Sequence, residues 1–270
     1  MIPHTVRDLA YVLKTTPYKD RDVIAVLFTE SKGKFTSIAR NGVQSRRFGG
    51  SLDLFTASDF EIDSKTIQLS EVTDERLVQI LSAQSRHACG KLSKYFEKLS
   101  AASCLNEILL KALPAHKPAN EIFKLYGNCL IALEEMEYSK ASAIVNAFIL
   151  KFTQWLGVQP SLTRCLACQK TLAEVSGNEV YAQVSQGAWL CETCTQGRSE
   201  QKRTALSKTL MFDAYQAMLN PIRKTQFEAG PNEHEALLGF LEQHLLYFVP
   251  GLDRQPLSST RFLKFQLPFA

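Results

Sequence analysis

The sequence has no long hydrophobic run. None of the apolar stretches in its 270 residues approaches the roughly 18 residues that a membrane span needs. The segment from Met1 to Asp8 has neither the basic region nor the apolar core of a secretory signal. We therefore expect a cytoplasmic protein that does not contact a membrane.

Common catalytic motifs are also missing. The sequence contains no G-x-x-x-x-G-K-[ST], G-x-G-x-x-G, G-x-S-x-G or H-E-x-x-H pattern, the signatures of phosphate loops, dinucleotide sites, nucleophilic serines and zinc proteases. Nothing in the sequence indicates an enzyme. The composition, 45% hydrophobic and 21% charged, is that of a globular protein and excludes a largely disordered chain. The length predicts two or three domains of about 100 to 200 residues.

The net charge of +4 is small, but it is unevenly distributed. Residues 1–50 hold nine basic and four acidic side chains, whereas the remaining residues hold 22 basic and 23 acidic ones. The segment from Ser31 to Leu52 has five basic residues and no Asp or Glu. Such a surface suits a polyanion, which binds by releasing counterions. A solvated loop and edge strand is the alternative interpretation.

The first quarter of the sequence is typical of β-structure. Short runs rich in β-branched and aromatic residues alternate with turn signals. They predict strands at Leu9–Thr15, Asp22–Thr29, Lys34–Asn41, Leu52–Ile62 and Thr66–Val72. Five strands in about 70 residues suit a small barrel, such as an OB-fold, which commonly binds single-stranded nucleic acid. SH3-like barrels fit the strand count nearly as well.

Basic and aromatic side chains are interleaved in this region. Lys34 and Arg40 are six residues apart in the third predicted strand, so they share one face and are candidates for lining one groove. Most of the aromatic rings are expected in the core. Tyr18 and Phe48, which stand beside turns, are the candidates for contact with a base.

After Val72 the hydrophobic period becomes helical. We predict helices from about Asp74 to Leu113, from Ala119 to Met136 and from Lys140 to Leu156, followed by two more at Ser207–Leu219 and Asn232–Phe248. The apolar stripes on these helices indicate mutual packing. The sequence thus predicts an α+β protein of several domains.

Four of the seven cysteines form two C-x-x-C pairs. Cys165 and Cys168 precede Cys191 and Cys194 by a 22-residue gap, which contains a predicted hairpin. Four thiolates at this spacing favour a tetrahedral zinc ion, and a site filled by four cysteines leaves no position for a catalytic water. We therefore predict one structural zinc per chain. Two disulfides or four unrelated thiols are the alternatives, and an intracellular setting disfavours disulfides.

Several local motifs resemble those of the RecO family of bacterial recombination mediators. They are the strand and turn Leu13–Tyr18, the G-K-…-A-R segment Gly33–Gly42, the R-F-G-G-x-L-x-x-F segment Arg47–Phe55, and the closing segment Arg254–Leu263. The resemblance covers essentially the whole chain. It implies an N-terminal OB-fold barrel at 1–73, a helical domain at 74–160, an inserted zinc ribbon at 161–202, and C-terminal helices at 203–270 that pack on the helical domain.

The resemblance also implies a function. The family binds single- and double-stranded DNA, anneals complementary strands and, with RecR, helps load RecA onto DNA coated by the single-stranded-DNA-binding protein (SSB). Carried over to this sequence, the phosphate-binding residues are Lys34, Arg40, Arg46 and Arg47. The expected partners are DNA, RecR and the acidic C-terminal tail of SSB, and the expected location is the nucleoid. A protein-interaction adaptor and a zinc-ribbon RNA-binding factor remain as alternatives.

Overall fold

The structure is a computed structural model that describes residues 5–73, 76–196, 204–252 and 255–263. By internal contacts the chain divides into two compact units. One comprises Met1–Lys91 and Asn106–Leu130, and the other comprises Leu92–Leu105 and Ile131–Ala270. These limits do not coincide with the four domains predicted from the sequence, and the predicted boundary at 202/203 lies outside the described residues.

A closed five-stranded barrel dominates the first unit. Its strands are β1 (Thr5–Tyr18), β2 (Asp22–Thr29), β3 (Gly33–Ala39), β4 (Thr56–Asp63) and β5 (Val78–Ala88), in the order β1-β2-β3-β5-β4, with β4 closing on β1. All neighbours are antiparallel except β3 and β5, which run parallel. This Greek-key barrel is the expected OB-fold.

The barrel interior is filled by alternate residues of each strand. The inward positions carry apolar side chains and the outward ones mostly polar side chains, as the two-residue period of a strand requires. Buried core residues include Val12, Val23, Leu27, Phe35, Phe60 and Ile80. Phe48, from the loop between β3 and β4, is buried in the same core.

The predicted fifth strand was wrong. Residues Ser64–Val72 form helix α1, and the fifth strand is Val78–Ala88, which the sequence had assigned to a helix. The side chain of Asp63 accepts a hydrogen bond from the backbone N–H of Thr66 at 2.8 Å and so caps α1. The barrel consequently extends beyond residue 73, its predicted end.

The segment 106–130 completes the first unit. It contains the end of α2 (Phe96–Ala112) and most of α3 (Asn120–Glu135). Its aromatic residues pack on the outer side of β1 and β2, where the ring of Phe123 lies 5.0 Å from that of Tyr11 and 5.4 Å from that of Phe28. The side-chain amide of Asn106 donates to the carbonyl of Leu13 at 2.9 Å. One part of the outer barrel face is therefore covered.

The second unit is mainly helical. Its central helix α4 (Ala141–Trp155) is buried over most of its length and packs against α6 (Lys208–Leu219) and α7 (Pro231–Phe248). The last described helix is α8 (Thr260–Leu263). The helices predicted at 119–136, 140–156, 207–219 and 232–248 are confirmed to within one residue at each end.

A small β-structure follows α4. Strands β6 (Glu179–Gln183), β7 (Ala188–Cys191) and β8 (Ala205–Ser207) form a sheet in the order β7-β6-β8, and the short helix α5 (Glu192–Thr195) follows β7. The predicted hairpin is thus confirmed. Gly187 in its turn has a φ of +56°, and a Cβ there would lie 2.7 Å from Cε1 of His244 on α7. Glycine therefore allows the hairpin turn to pack closely on α7.

Candidate nucleic-acid interface and metal centre

The loop between β3 and β4, residues 40–55, carries three of the four predicted phosphate-binding residues. We call it the arginine loop. Its backbone is fixed at two places. The N–H of Ala83 on β5 donates to the carbonyl of Arg47 at 2.9 Å, and the neighbouring Phe48 is only 2% exposed in the barrel core. The loop is therefore anchored to the barrel on both sides of the Arg47–Phe48 peptide.

Arg40 begins the arginine loop and is held by Asp22. Its guanidinium lies 2.9 Å from the Asp22 carboxylate, which also accepts the backbone N–H of Asn41 at 2.8 Å. The hydrogen bond from Asn41, followed by those from Arg40, holds the pKa of Asp22 below its usual value. The Arg40 side chain remains 57% exposed, so much of the guanidinium faces solvent.

Arg46 and Arg47 are both exposed. Arg46 lines a cleft of about 490 Å³ formed by the arginine loop together with Thr15 and Val23 of the barrel. The Arg47 guanidinium donates to Ser45 Oγ at 3.2 Å and to the carbonyl of Arg40 at 3.4 Å. The structure thus brings Arg40 and Arg47 together and places Arg46 on the same loop.

Lys34 lies elsewhere. It faces outward from β3, as the alternation predicts, but its ammonium group donates to the carbonyls of Leu109, at 3.3 Å, and Leu110. These carbonyls belong to the C-terminal turn of α2, where the helix dipole favours a cation. Six residues of extended chain separate Lys34 from Arg40, which corresponds to about 20 Å. The structure does not place Lys34 with the three arginines.

The two candidates for contact with a base, Tyr18 and Phe48, differ in their exposure to solvent. Phe48 is buried, so the prediction that it contacts a base was wrong. Tyr18 is 39% exposed at the end of β1, and the ammonium group of Lys19 lies 5.4 Å from its ring centre. The carbonyl of Arg21 accepts the N–H of Val43 at 3.1 Å, which ties the β1–β2 turn to the arginine loop.

Lys19 and Arg21 were not among the predicted site residues. They lie before the acid-free segment, and the acidic residues Asp20 and Asp22 beside them hid their charge in the sequence. The turn signal between the first two strands was the available clue, because a tight hairpin brings its tip near the loop that follows the third strand.

The four paired cysteines converge in the second unit. Cys165 and Cys168 lie in the loop after α4, Cys191 ends β7, and Cys194 lies in α5. Their sulfur atoms are all within 4.8 Å of one another, and those of Cys168 and Cys191 are 3.8 Å apart. Within the part of the chain that the structure describes, these four cysteines form no disulfide bond.

The sulfur atoms lie in a polar backbone environment. Burial by itself raises the pKa of the Cys165 thiol. Hydrogen bonds from the backbone of Cys168, Cys191 and Ala167 outweigh this effect and lower the pKa to about 6. The side-chain hydrogen bond with Cys191 and partial burial raise the pKa of Cys194 to about 12. Backbone N–H groups around a thiolate are typical of cysteine metal sites.

The cluster fits a tetrahedral metal ion. A zinc–sulfur bond of about 2.3 Å implies sulfur atoms about 3.8 Å apart, which is the distance between Cys168 and Cys191. With four sulfur ligands, such a site has no open position. The donor set and the spacing could therefore hold one metal ion.

No helix in the described ranges is both long enough and apolar enough to span a membrane.

Two protein-family models match the sequence. The model described as "Recombination protein O N terminal" matches residues 1–81, and that described as "Recombination protein O C terminal" matches residues 94–251. Between them they cover strands β1 to β4 and the start of β5, the helices around α4 and the cysteine cluster.

Several relatives carry the name DNA repair protein RecO. The protein of Alkaliphilus metalliredigens is 25% identical over 96% of this chain and 98% of its own length. That of Desulfosudis oleivorans is 24% identical over 90% of this chain and 94% of its own length. That of Syntrophus aciditrophicus is 27% identical over 68% of this chain and 67% of its own length.

Proposed function

The chain belongs to the RecO family of DNA repair proteins, and on that premise we propose that it is a recombination mediator that holds DNA on its barrel. It binds single- and double-stranded DNA, anneals complementary strands and, together with RecR, helps load RecA onto DNA coated by SSB. It has no catalytic step of its own, and it works at the nucleoid in the cytoplasm.

The arginine loop is the observation that carries this proposal. Three exposed guanidinium groups stand on one loop, and the barrel fixes the backbone of that loop through Ala83 and Phe48. Guanidinium groups suit phosphate because their planar donors match its oxygens. A rigid backbone lowers the entropy that is lost when these side chains bind.

The binding is expected to be largely independent of sequence. Arg40, Arg46 and Arg47 lie on a loop and not on a helix that enters a major groove, so they read the phosphate backbone and not the base edges. Annealing follows from the same surface. Two strands held near one cationic loop repel each other less and meet at a higher local concentration.

The helical unit offers a surface for the acidic tail of SSB. The exposed rings of Tyr95 and Tyr138 stack at 5.8 Å, and those of Phe96 and Phe262 meet edge to face at 6.0 Å. The guanidinium group of the exposed Arg261 lies 4.7 Å from the Phe262 ring. Lys98, beside Tyr95, is only 5% exposed and donates to the carbonyl of Glu134 at 3.2 Å, so it is not part of this surface. Exposed aromatic rings next to an exposed guanidinium suit a peptide that is both acidic and apolar.

The metal of the cysteine cluster is proposed to be zinc, one ion per chain, held by Cys165, Cys168, Cys191 and Cys194. Zinc supplies a cross-link between the loop after α4 and the β6–β7 hairpin. Because four thiolates close the coordination shell, we assign the ion a structural role.

The proposal is tested by reversing the charge of the arginine loop. The triple variant R40E/R46E/R47E is expected to lose binding of both single- and double-stranded DNA and to show a flatter dependence of the remaining affinity on salt, because fewer counterions are released. Fluorescence anisotropy of labelled oligonucleotides at several salt concentrations measures both effects.

A charge-matched control is the variant K65E/K124E/K224E, whose three lysines are exposed outside the arginine loop. It should bind DNA far better than the arginine variant. Equal affinity of the wild-type protein and R40E/R46E/R47E would refute DNA binding by the loop. If that variant still bound the SSB tail and kept its role in cells, the protein would be an adaptor.

A further inference from the structure

The turn between β1 and β2 presents a tyrosine to solvent. Tyr18 is the last residue of β1 and pairs directly with Asp22, the first residue of β2. The turn between them is tight, and its first residue, Lys19, has a φ of +53°. The hydrogen bond from Val43 to the carbonyl of Arg21 holds this turn against the arginine loop. Tyr18 therefore has a fixed position next to the proposed DNA-binding loop.

One cation, Lys19, lies against the Tyr18 ring, and a second, Arg40, is held by Asp22 on the same face. Lys19 Nζ lies 5.4 Å from the ring centre. Directly paired residues of an antiparallel hairpin point to the same face, with Cβ atoms about 4.5 to 5.5 Å apart, so Tyr18 and Asp22 are neighbours. Asp22 in turn holds the Arg40 guanidinium at 2.9 Å. Tyr18 thus lies on the face of the sheet where Asp22 positions Arg40.

We propose that Tyr18 stacks on an unpaired base while Lys19 and Arg40 bind the phosphates beside it. This deepens the function proposed above and rests on it. Aromatic rings in a cationic groove bind single strands because every base offers a π-face, whatever the sequence. In a duplex the bases are stacked inside the helix and cannot reach the ring. Tyr18 therefore adds affinity for single strands only, whereas the arginines of the loop attract both forms.

The remaining structure supports this assignment. Among the aromatic residues of the β1–β2 turn and the arginine loop, Tyr18 is exposed, whereas Phe48 and Phe55 are at most 6% exposed. The neighbouring positions on the outer face, Lys14 and Thr16, are exposed as well. A strand that passes over this end of the sheet meets Tyr18 without any change in the barrel.

The experiment compares a single-stranded oligonucleotide with the corresponding duplex. Y18A is expected to bind the single strand roughly tenfold more weakly and to bind the duplex as the wild-type protein does. The slope of affinity against salt should not change, because tyrosine releases no counterions. Y18F should bind like the wild-type protein, since it keeps the ring.

A tryptophan at the same position reports stacking directly. The fluorescence of Y18W should be quenched by the single strand and not by the duplex, after subtraction of the signal of the wild-type protein with its two tryptophans. Y215A is the matched control, because Tyr215 on α6 is 37% exposed, close to the 39% of Tyr18. It should bind both DNA forms normally.

The outcomes separate this inference from the function on which it rests. If R40E/R46E/R47E loses both DNA forms but Y18A binds both normally, the stacking role is wrong and the DNA-binding loop stands. Equal loss of single strand and duplex in Y18A also overturns the stacking role. If the arginine variant itself binds DNA normally, the proposed function fails first.

Discussion

Lys34 on β3 and Arg40, the first residue after that strand, both point outward from the barrel, and their surroundings differ completely. At one end of the strand, the ammonium group of Lys34 meets the last carbonyls of α2. At the other end, Arg40 pairs with Asp22 and is more than half exposed. The same charge therefore stabilises the fold at one position and is available to a ligand at the other.

Replacement of Lys34 tests this difference. K34M should lower the free energy of unfolding by about 1 kcal/mol, because carbonyls at the end of α2 lose a charged donor. It should change DNA affinity little. K32M is the matched control, since the half-buried Lys32 pairs with the side chain of Glu71 at 3.2 Å and not with the end of a helix. Urea denaturation and anisotropy measure the two quantities. If K34M lost as much DNA affinity as R40E/R46E/R47E, Lys34 would be part of the DNA-binding site.

At the scale of elements, α1 and β5 exchange the roles that their sequences indicate. Ile67 and Leu69 alternate with polar residues as in a strand, yet the Asp63 cap and the bond from Thr66 Oγ1 to the Asp63 carbonyl start a helix. Strand β5 buries Val78 and Ile80 in the barrel and pairs with both β3 and β4. The local sequence pattern of each segment is compatible with either a helix or a strand. Closure of the barrel, which pairs β5 with β3 and β4, decides which segment is the strand.

We expect the ribbon formed by the cysteine cluster and the β6–β7 hairpin to depend on a bound metal ion. The purified protein should contain one zinc ion per chain by elemental analysis, and C165S or C191S should lose it. Because metal binding contributes to the folding free energy of such small elements, these variants should lose more in solubility and thermal stability than in DNA affinity.

The control for the metal is C129S, which replaces a buried cysteine outside the cluster. It should retain one zinc ion. Freshly prepared protein with no metal and two disulfides among Cys165, Cys168, Cys191 and Cys194 would contradict the metal centre.

At the scale of the whole molecule, the two kinds of ligand are assigned to different units. The excess positive charge lies in the first 50 residues, within the barrel unit, whereas the exposed aromatic cluster lies in the helical unit. DNA and the SSB tail should therefore bind at the same time. A labelled tail peptide should not be displaced by an excess of single-stranded oligonucleotide.

Two variants complete this competition experiment. R40E/R46E/R47E should still bind the peptide, and Y138E should bind DNA normally but lose the peptide, since it places a like charge in the aromatic cluster. Displacement of the peptide by DNA would show instead that the acidic tail binds the basic barrel, and a single surface would then serve both ligands.

The sequence by itself determined the first four barrel strands, the helices around α4, the segregation of charge and the four-cysteine cluster. These depend on local period, composition and spacing, which neighbouring residues fix. It therefore predicted a barrel, the helices around α4 and four cysteines that lie close together. It placed Arg40 in a strand with Lys34, whereas the structure places Arg40 on a loop with Arg46 and Arg47. The assignment of these four residues to phosphate binding stays a prediction.

Only the tertiary structure decided which of those side chains are open to a ligand. The contact that engages the ammonium group of Lys34 joins residues 76 positions apart, and Phe48 is buried because its loop packs into the barrel core. The fifth strand was decided in the same way, by pairing with β3 and β4. Periodicity gives the direction of a side chain, but what covers it depends on segments that are distant in the sequence.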